Sequence, residues 1–131
     1  MRKIKRALHF DFHTMPDIPD LGDDFSAESF VKTLVDAKIR YINFFARCNT
    51  GFSYYPTKIG VQHPYLKGKD LFGDILKECH KHDIGVTAYF NAGLSNELAL
   101  RNRHWAVVDS GGKVINTTTN SNVRDMCYNT E

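Results

Sequence analysis

The feature that most constrains the fold of this chain is a regular succession of strand-like and helix-like segments. Residues 7–13, 40–46 and 84–91 have the apolar or alternating pattern of β-strands, whereas apolar residues recur at helical spacing over 27–38 and 71–79. Connections of this length between strands are typical of right-handed βαβ units, which build a parallel sheet. The sequence therefore predicts an α/β fold made of parallel βα units.

Local signals place the ends of these elements. Ser26 and Asp70 are predicted N-caps, because their side-chain oxygens can accept from the unpaired amides of a helix start. Ser95 or Asn96 is expected to begin a short third helix that ends near Arg103. A small β-hairpin is predicted over 105–115, around a Ser-Gly-Gly turn.

Two architectures fit this order: a small doubly wound sheet, or the first three βα units of a TIM (β/α)8 barrel. No glycine-rich turn follows the first strand, so a nucleotide-binding doubly wound sheet loses support. A full barrel needs about 250 residues, and this chain has 131. We therefore predict a single partial-barrel domain over 1–131, the N-terminal portion of about three βα repeats.

The composition of the chain argues against several classes of protein. The net charge of +2 gives no reason to expect a nucleic-acid partner. No apolar run approaches the roughly 18 residues of a membrane helix, and the basic start lacks the apolar region of a signal peptide. The three cysteines match no zinc or thioredoxin spacing. We expect a cytoplasmic protein with reduced thiols, no cofactor and no resident metal.

Polar residues follow the first strand in the pattern His9-x-Asp11-x-His13. A period of two places all three on one side of a strand, where they can face one cavity. Barrel enzymes build their active sites at the carboxyl ends of the strands. Three interpretations remain open: hydrogen bonding to a polyhydroxylated substrate, metal ligation, or a purely structural place for His9.

Further candidates follow the second and third strands. Arg47 ends the second strand, and Tyr54 and Tyr55 lie in the loop behind it, where tyrosine rings and hydroxyls would suit a sugar. The alternative for these tyrosines is a loop packed by its own aromatic side chains. Tyr89 and Asn91 end the third strand, and they complete the predicted substrate-binding set.

Three segments carry a resemblance to a known family: His9-Phe-Asp-Phe-His-Thr14, Gly51-Phe-Ser-Tyr-Tyr-Pro-Thr-Lys58, and Cys79-His-Lys followed by Gly85-Val-Thr-Ala-Tyr89. They resemble the N-terminal part of the hypothetical glycosyl hydrolase 6 family, which is related to the alpha-L-fucosidase-like barrels. The Tyr-Tyr-Pro-Thr loop is the most specific part. The resemblance implies a (β/α)8 barrel that acts on carbohydrate.

The resemblance also implies residue roles. It assigns sugar contacts to His13, His9, Arg47 and Tyr54. It places the nucleophilic aspartate of such barrels at the end of a fourth strand, which this sequence does not reach. Glycosidases use two carboxylates, and Asp11 is the carboxylate expected in the cavity. The catalytic residues thus stay unknown, and we expect a carbohydrate-active hydrolase portion that is inactive unaided.

Two other functions remain open. A metal-dependent, amidohydrolase-like hydrolase would use His9, Asp11 and His13, although the spacing differs from the His-x-His of those barrels. A non-catalytic βαβ module would act by association, as a homo-oligomer or with a complementing chain that covers the open sheet. The strand residues expected to need such cover are Tyr41, Phe44, Phe45 and Ala88.

Overall fold

Three parallel strands form the centre of the structure, a computed structural model that describes residues 6–115 and 123–130. The elements in chain order are β1 (Ala7–His9), α1 (Ala27–Asp36), β2 (Tyr41–Arg47), β3 (Phe52–Ser53), β4 (Val61–Gln62), α2 (Leu71–Lys81), β5 (Gly85–Phe90) and α3 (Asn96–Arg101). Strand β2 lies between β1 and β5, and all three run parallel. The predicted α/β class with parallel βα units is confirmed.

The helices begin where the sequence predicts. The Ser26 hydroxyl accepts from the Ser29 amide at 3.2 Å, and the Asp70 carboxylate accepts from the Gly73 amide at 2.8 Å. Ser95 starts α3 and accepts from the Leu98 amide at 3.2 Å. Each cap satisfies an amide that has no partner within its helix.

The first strand is shorter than predicted. It ends at His9, although the Phe10 amide still donates to the Asn43 carbonyl at 3.0 Å. The chain then leaves β2, and the Thr14 amide donates to the Tyr54 hydroxyl at 3.2 Å. Contacts with the loop behind β2 therefore replace the strand ladder beyond Phe10.

The segment predicted as a long loop, from about residue 47 to 69, contains structure of its own. Strand β3 pairs antiparallel to the end of β2, with Ser53 opposite Arg47, and β4 runs parallel to β3. A 3-10 turn over Pro64–Leu66 leads towards α2. The loop is thus a folded cover beside the carboxyl end of β2.

The predicted hairpin near the C-terminal end is present and has an additional neighbour. Val108 bridges Val114, and the Asp109 amide donates to the Lys113 carbonyl at 2.9 Å. Met126 bridges Ala106 in the same region. Within the described residues, no helix is long and apolar enough to cross a membrane.

Two apolar clusters hold these elements together. The larger joins α1 and α2 to one face of the sheet through Val31, Leu34, Ile39, Ile42, Phe44, Ile75, Cys79 and Ile84. The smaller joins the end of β2 to the loop behind it through Phe45, Cys48, Phe52, Tyr54 and Leu66. The expectation that Phe44 and Phe45 need cover from outside is wrong, because these clusters bury both. Tyr41 is half-buried, and Ala88 is exposed.

Candidate functional site

The site lies on the face of the sheet that the helices do not cover, here called the inner face. Ile42 and Phe44 pack in the helix-side cluster, so the alternate residues Tyr41, Asn43 and Phe45 point to the inner face. The parallel register places side chains of neighbouring strands in rows across this face. Two rows concern the site: His9, Asn43 and Thr87 in one, and Phe45 beside Tyr89 in the next.

Phe45 and Tyr89 form a stacked aromatic pair at the strand ends. Their ring centroids are 4.2 Å apart and their planes differ by 14°. The ring of His13 lies 4.8 Å from that of Phe45, and the ring of His9 lies 5.8 Å from it. The structure thus brings the two predicted histidines to one aromatic pair on one face.

Asp11 and Asn49 hold the imidazole of His13. The His13 Nε2 lies 3.1 Å from the Asp11 carboxylate, and the backbone N–H of Asn49 donates to His13 Nδ1 at 3.4 Å. A ring with its proton on Nε2 satisfies both contacts. The Asp11 side chain is 63% exposed, so much of its carboxylate remains open to solvent or a ligand.

Asn91 orients the hydroxyl of Tyr89. Its Nδ2 donates to the Tyr89 oxygen at 3.2 Å, while its Oδ1 accepts from the Leu94 amide at 2.9 Å. The Tyr89 hydroxyl therefore accepts from the protein and keeps its own proton to donate. Both side chains are half-buried at the carboxyl end of β5.

Arg47 is placed differently from its predicted role in direct sugar contact. It is 5% exposed, and its guanidinium donates to the Asn91 carbonyl and to the Ser95 hydroxyl, the latter at 2.8 Å. Burial lowers the pKa of Arg47. Gly51 permits this close contact, because a Cβ there would lie 2.4 Å from the Ser95 hydroxyl oxygen. Arg47 thus connects β2 to the start of α3.

Tyr54 and Tyr55, predicted either to bind a sugar or to pack their own loop, lie within the packed loop. Tyr54 is 0% exposed, and its hydroxyl lies 2.6 Å from that of Thr14. Burial raises the pKa of this phenol. Tyr55 is half-buried, with its ring 6.4 Å from that of Phe72. The alternative interpretation, a loop packed by its own aromatic side chains, describes this segment.

His63 belongs to the same packed loop. It is 1% exposed, with Nε2 2.9 Å from the Met15 carbonyl and Nδ1 accepting from the Tyr65 amide at 3.3 Å. Burial lowers the pKa of this imidazole. Its contacts hold the loop behind β2 to the segment that follows β1.

Two further carboxylates, those of Glu97 and Asp109, have local partners. Glu97 pairs with Arg101 one helical turn away, and Asp109 accepts from the Gly111 and Lys113 amides at 2.9 Å each. Over residues 6–115 and 123–130, no three His, Cys, Asp or Glu side chains form a group that could hold a metal ion. The described site thus offers Asp11 as its open carboxylate.

Comparison with known proteins places the chain in a family. Residues 26–131 match the family described as hypothetical glycosyl hydrolase 6. The chain belongs to this family. The match begins after β1, so His9, Asp11 and His13 precede it.

A solved structure is similar to this chain over nearly the chain's whole length. The chain is similar to alpha-L-fucosidase isoenzyme 2 from Paenibacillus thiaminolyticus, with 28% identity and a TM-score of 0.84. The similarity covers 98% of this chain and 20% of the fucosidase, so the chain spans a fifth of that enzyme's length. No curated protein matches the sequence. The mostly parallel α/β unit described above therefore corresponds to one part of a larger hydrolase fold.

Proposed function

We propose that this chain supplies one wall of the carbohydrate site in a glycosyl hydrolase-like barrel. The observation that carries the proposal is the convergence of His9 and His13 on the stacked Phe45–Tyr89 pair, with Asp11 bound to His13. Phe45 is buried behind the pair, so the half-buried ring of Tyr89 offers the aromatic surface for the C–H groups of a sugar, beside polar groups for its hydroxyls. The likeness to an alpha-L-fucosidase makes L-fucose the first ligand to test.

Each polar group has a different role in the proposed binding of the sugar. Asp11 accepts from sugar hydroxyls, and the Tyr89 hydroxyl donates to a ring or hydroxyl oxygen. His13, held by Asp11 and Asn49, presents its ring beside Phe45. Arg47 supports this wall from within the protein by connecting Asn91 and Ser95 to β2.

Hydrolysis requires more than this wall. Retaining and inverting glycosidases use two carboxyl groups about 5–5.5 Å or about 6.5–9.5 Å apart, respectively. In the described part of the chain, Asp11 faces the proposed site, while Glu97 and Asp109 are engaged locally. We therefore propose that this portion binds sugar, and that turnover depends on carboxylates contributed by another part of a complete barrel.

The β5 edge and the uncovered part of the outer face beside it also suggest association. The Phe90 and Ala88 side chains of β5 are exposed, and both outer strands of the parallel trio pair with β2. Open strand edges bind further strands readily. We propose that a second polypeptide, either another copy or a complementing barrel portion, pairs with the β1 or β5 edge. Light scattering after size exclusion tests this, and a monomer at high concentration would contradict self-association.

A sugar titration followed by amide NMR tests the binding proposal. L-Fucose is expected to shift the signals of His13, Asn49 and Asn91, and D-glucose serves as the stereochemical control. His13→Phe keeps an aromatic ring but loses both ring nitrogens, so it should weaken binding; His82→Phe, on the exposed end of α2, is the matched control. Signals that stay unmoved in every sugar, or that move only among residues of α1 and α2, would refute the proposal.

A further inference from the structure

The inner face is polar one row below the Phe45–Tyr89 pair. His9 lies opposite Asn43, and Asn43 lies opposite Thr87. These three residues line a recess of about 420 Å³ together with Ala7, Leu8 and Tyr41. The inner layers of TIM barrels are dominated by bulky branched apolar residues. A row of an imidazole, an amide and a hydroxyl is therefore unlike a packing layer.

The side-chain oxygen of Asn43 has no hydrogen-bond donor among the described residues. This atom, Oδ1, is buried. The neighbouring hydroxyls do not supply one, because those of Tyr41 and Thr87 pair with each other at 2.6 Å. A buried acceptor without a donor is costly, and native structures satisfy nearly all such groups. Because Oδ1 itself is enclosed, a donor in the recess that Asn43 lines would reach it once the side-chain amide turns towards the recess.

We infer that His9, Asn43 and Thr87 form a hydrogen-bonding floor for a hydroxyl group of a bound carbohydrate, which donates to Asn43 Oδ1. This inference rests on the proposed function, since it deepens the same site by one row. His9 joins the two rows, because its ring lies 5.8 Å from that of Phe45 and 6.0 Å from that of Tyr89. Adjacent inner-face rows are separated by about 6.6 Å along a strand, so a sugar that contacts Tyr89 lies next to the floor.

The test compares Asn43→Leu with the parent chain, using L-fucose as the probe and Asn129→Leu, on an exposed residue, as the matched control. Losing one hydrogen bond to the ligand should weaken L-fucose binding by about fivefold or more. The thermal midpoint of the sugar-free chain should hold or rise, because the variant removes a buried acceptor that has no donor. The control should change neither value.

A second readout requires no variant. In the parent chain, L-fucose should shift the side-chain amide signals of Asn43, and a monodeoxy L-fucose that lacks the bound hydroxyl should not. That analogue should also bind the parent chain and Asn43→Leu equally well.

The outcomes separate the two proposals. If His13→Phe weakens L-fucose binding while Asn43→Leu does not, and the Asn43 amide signals stay still, the floor is refuted and the sugar wall stands. If the parent chain binds no L-fucose at all, the proposed function fails and the floor fails with it. If Asn43→Leu does not fold, the amide signals of the parent chain alone decide the question.

Discussion

The two faces of the central sheet differ in what their side chains do. On the outer face, Ile42 packs against Val31 of α1 and Ile75 of α2, and all three are fully buried. On the inner face, Tyr41 and Asn43 of the same strand stay partly exposed and polar. Alternation along one strand thus places buried apolar residues on one side and partly exposed polar residues on the other. We therefore expect substitutions on the outer face to lower stability more than substitutions on the inner face do.

The largest expected difference between the faces comes from truncating Ile42. Ile42→Ala removes buried methyl groups and leaves a cavity, which should lower the free energy of unfolding by about 2 to 5 kcal/mol. Thr87→Ala removes an exposed inner-face hydroxyl that pairs with that of Tyr41, and it should lower the free energy of unfolding by less than about 1 kcal/mol. Urea unfolding of both variants measures the difference, and equal losses would show that the inner face is also a packed core.

Arg47 tests the comparison between the two faces, because it is a charged residue whose hydrogen bonds stabilise the fold. Arg47→Met removes hydrogen bonds to the Asn91 carbonyl and the Ser95 hydroxyl, so we expect a loss of about 2 to 3 kcal/mol in the free energy of unfolding. Arg47→Lys should recover part of it. Direct sugar binding by Arg47 would instead weaken L-fucose affinity without changing stability, and thermal unfolding with and without the sugar distinguishes the two.

Tyr54 belongs to the buried part of the loop behind β2, so its main role is expected to be structural. Tyr54→Phe removes the hydroxyl that bonds to Thr14 and should lower the free energy of unfolding by about 1 to 2 kcal/mol. L-Fucose affinity should not change, because the ring is fully buried. Tyr65→Phe, which removes a hydroxyl from the neighbouring turn, serves as the control in the same titration. A fall in L-fucose affinity with an unchanged free energy of unfolding would instead indicate that Tyr54 contacts the sugar.

His63 gives this loop a dependence on pH. Its pKa is lowered in the folded chain by burial, so the unfolded chain, with a pKa near the ordinary 6.5, takes up a proton first as the pH falls. Stability should therefore be complete above pH 6.5 and decrease below it, by at most about 1.4 kcal/mol per pH unit for this one group. Urea unfolding at pH 7.5 and pH 5.5 measures the decrease.

A histidine variant isolates the contribution of His63. His63→Asn should be less stable at both pH values but should lose less than the parent between them, whereas the exposed His104→Asn should follow the parent. An identical pH dependence in the parent and His63→Asn would assign the effect to another group.

Local patterns predicted most of the fold. Ser26, Asp70 and Ser95 begin helices as expected, because capping depends on residues a few positions apart. The alternation after Ala7 placed His9 and His13 on one face. The end of β1 was missed, since it depends on a contact between Thr14 and Tyr54, 40 residues apart.

The candidate site was predicted less completely. Asn43 carried a signal that sequence reasoning passed over: it is a single amide between the apolar Ile42 and Phe44, on the polar side of the alternation. Arg47 was identified by its place at a strand end, but the direction of its side chain depends on Ser95, 48 residues away. Hydrogen bonds at such separations leave no periodic trace in the sequence.

The sequence by itself determined the order of strands and helices, the helix starts and the family to which the chain belongs, because periodicity, capping and family motifs are local. The tertiary structure decided which polar residues are open to a ligand. Tyr54 and Arg47 are enclosed by distant parts of the chain, while Asp11, Asn43 and Tyr89 face the uncovered side of the sheet. The physical reason is that burial and hydrogen bonding depend on which segments meet in space, and residue type alone does not specify that meeting.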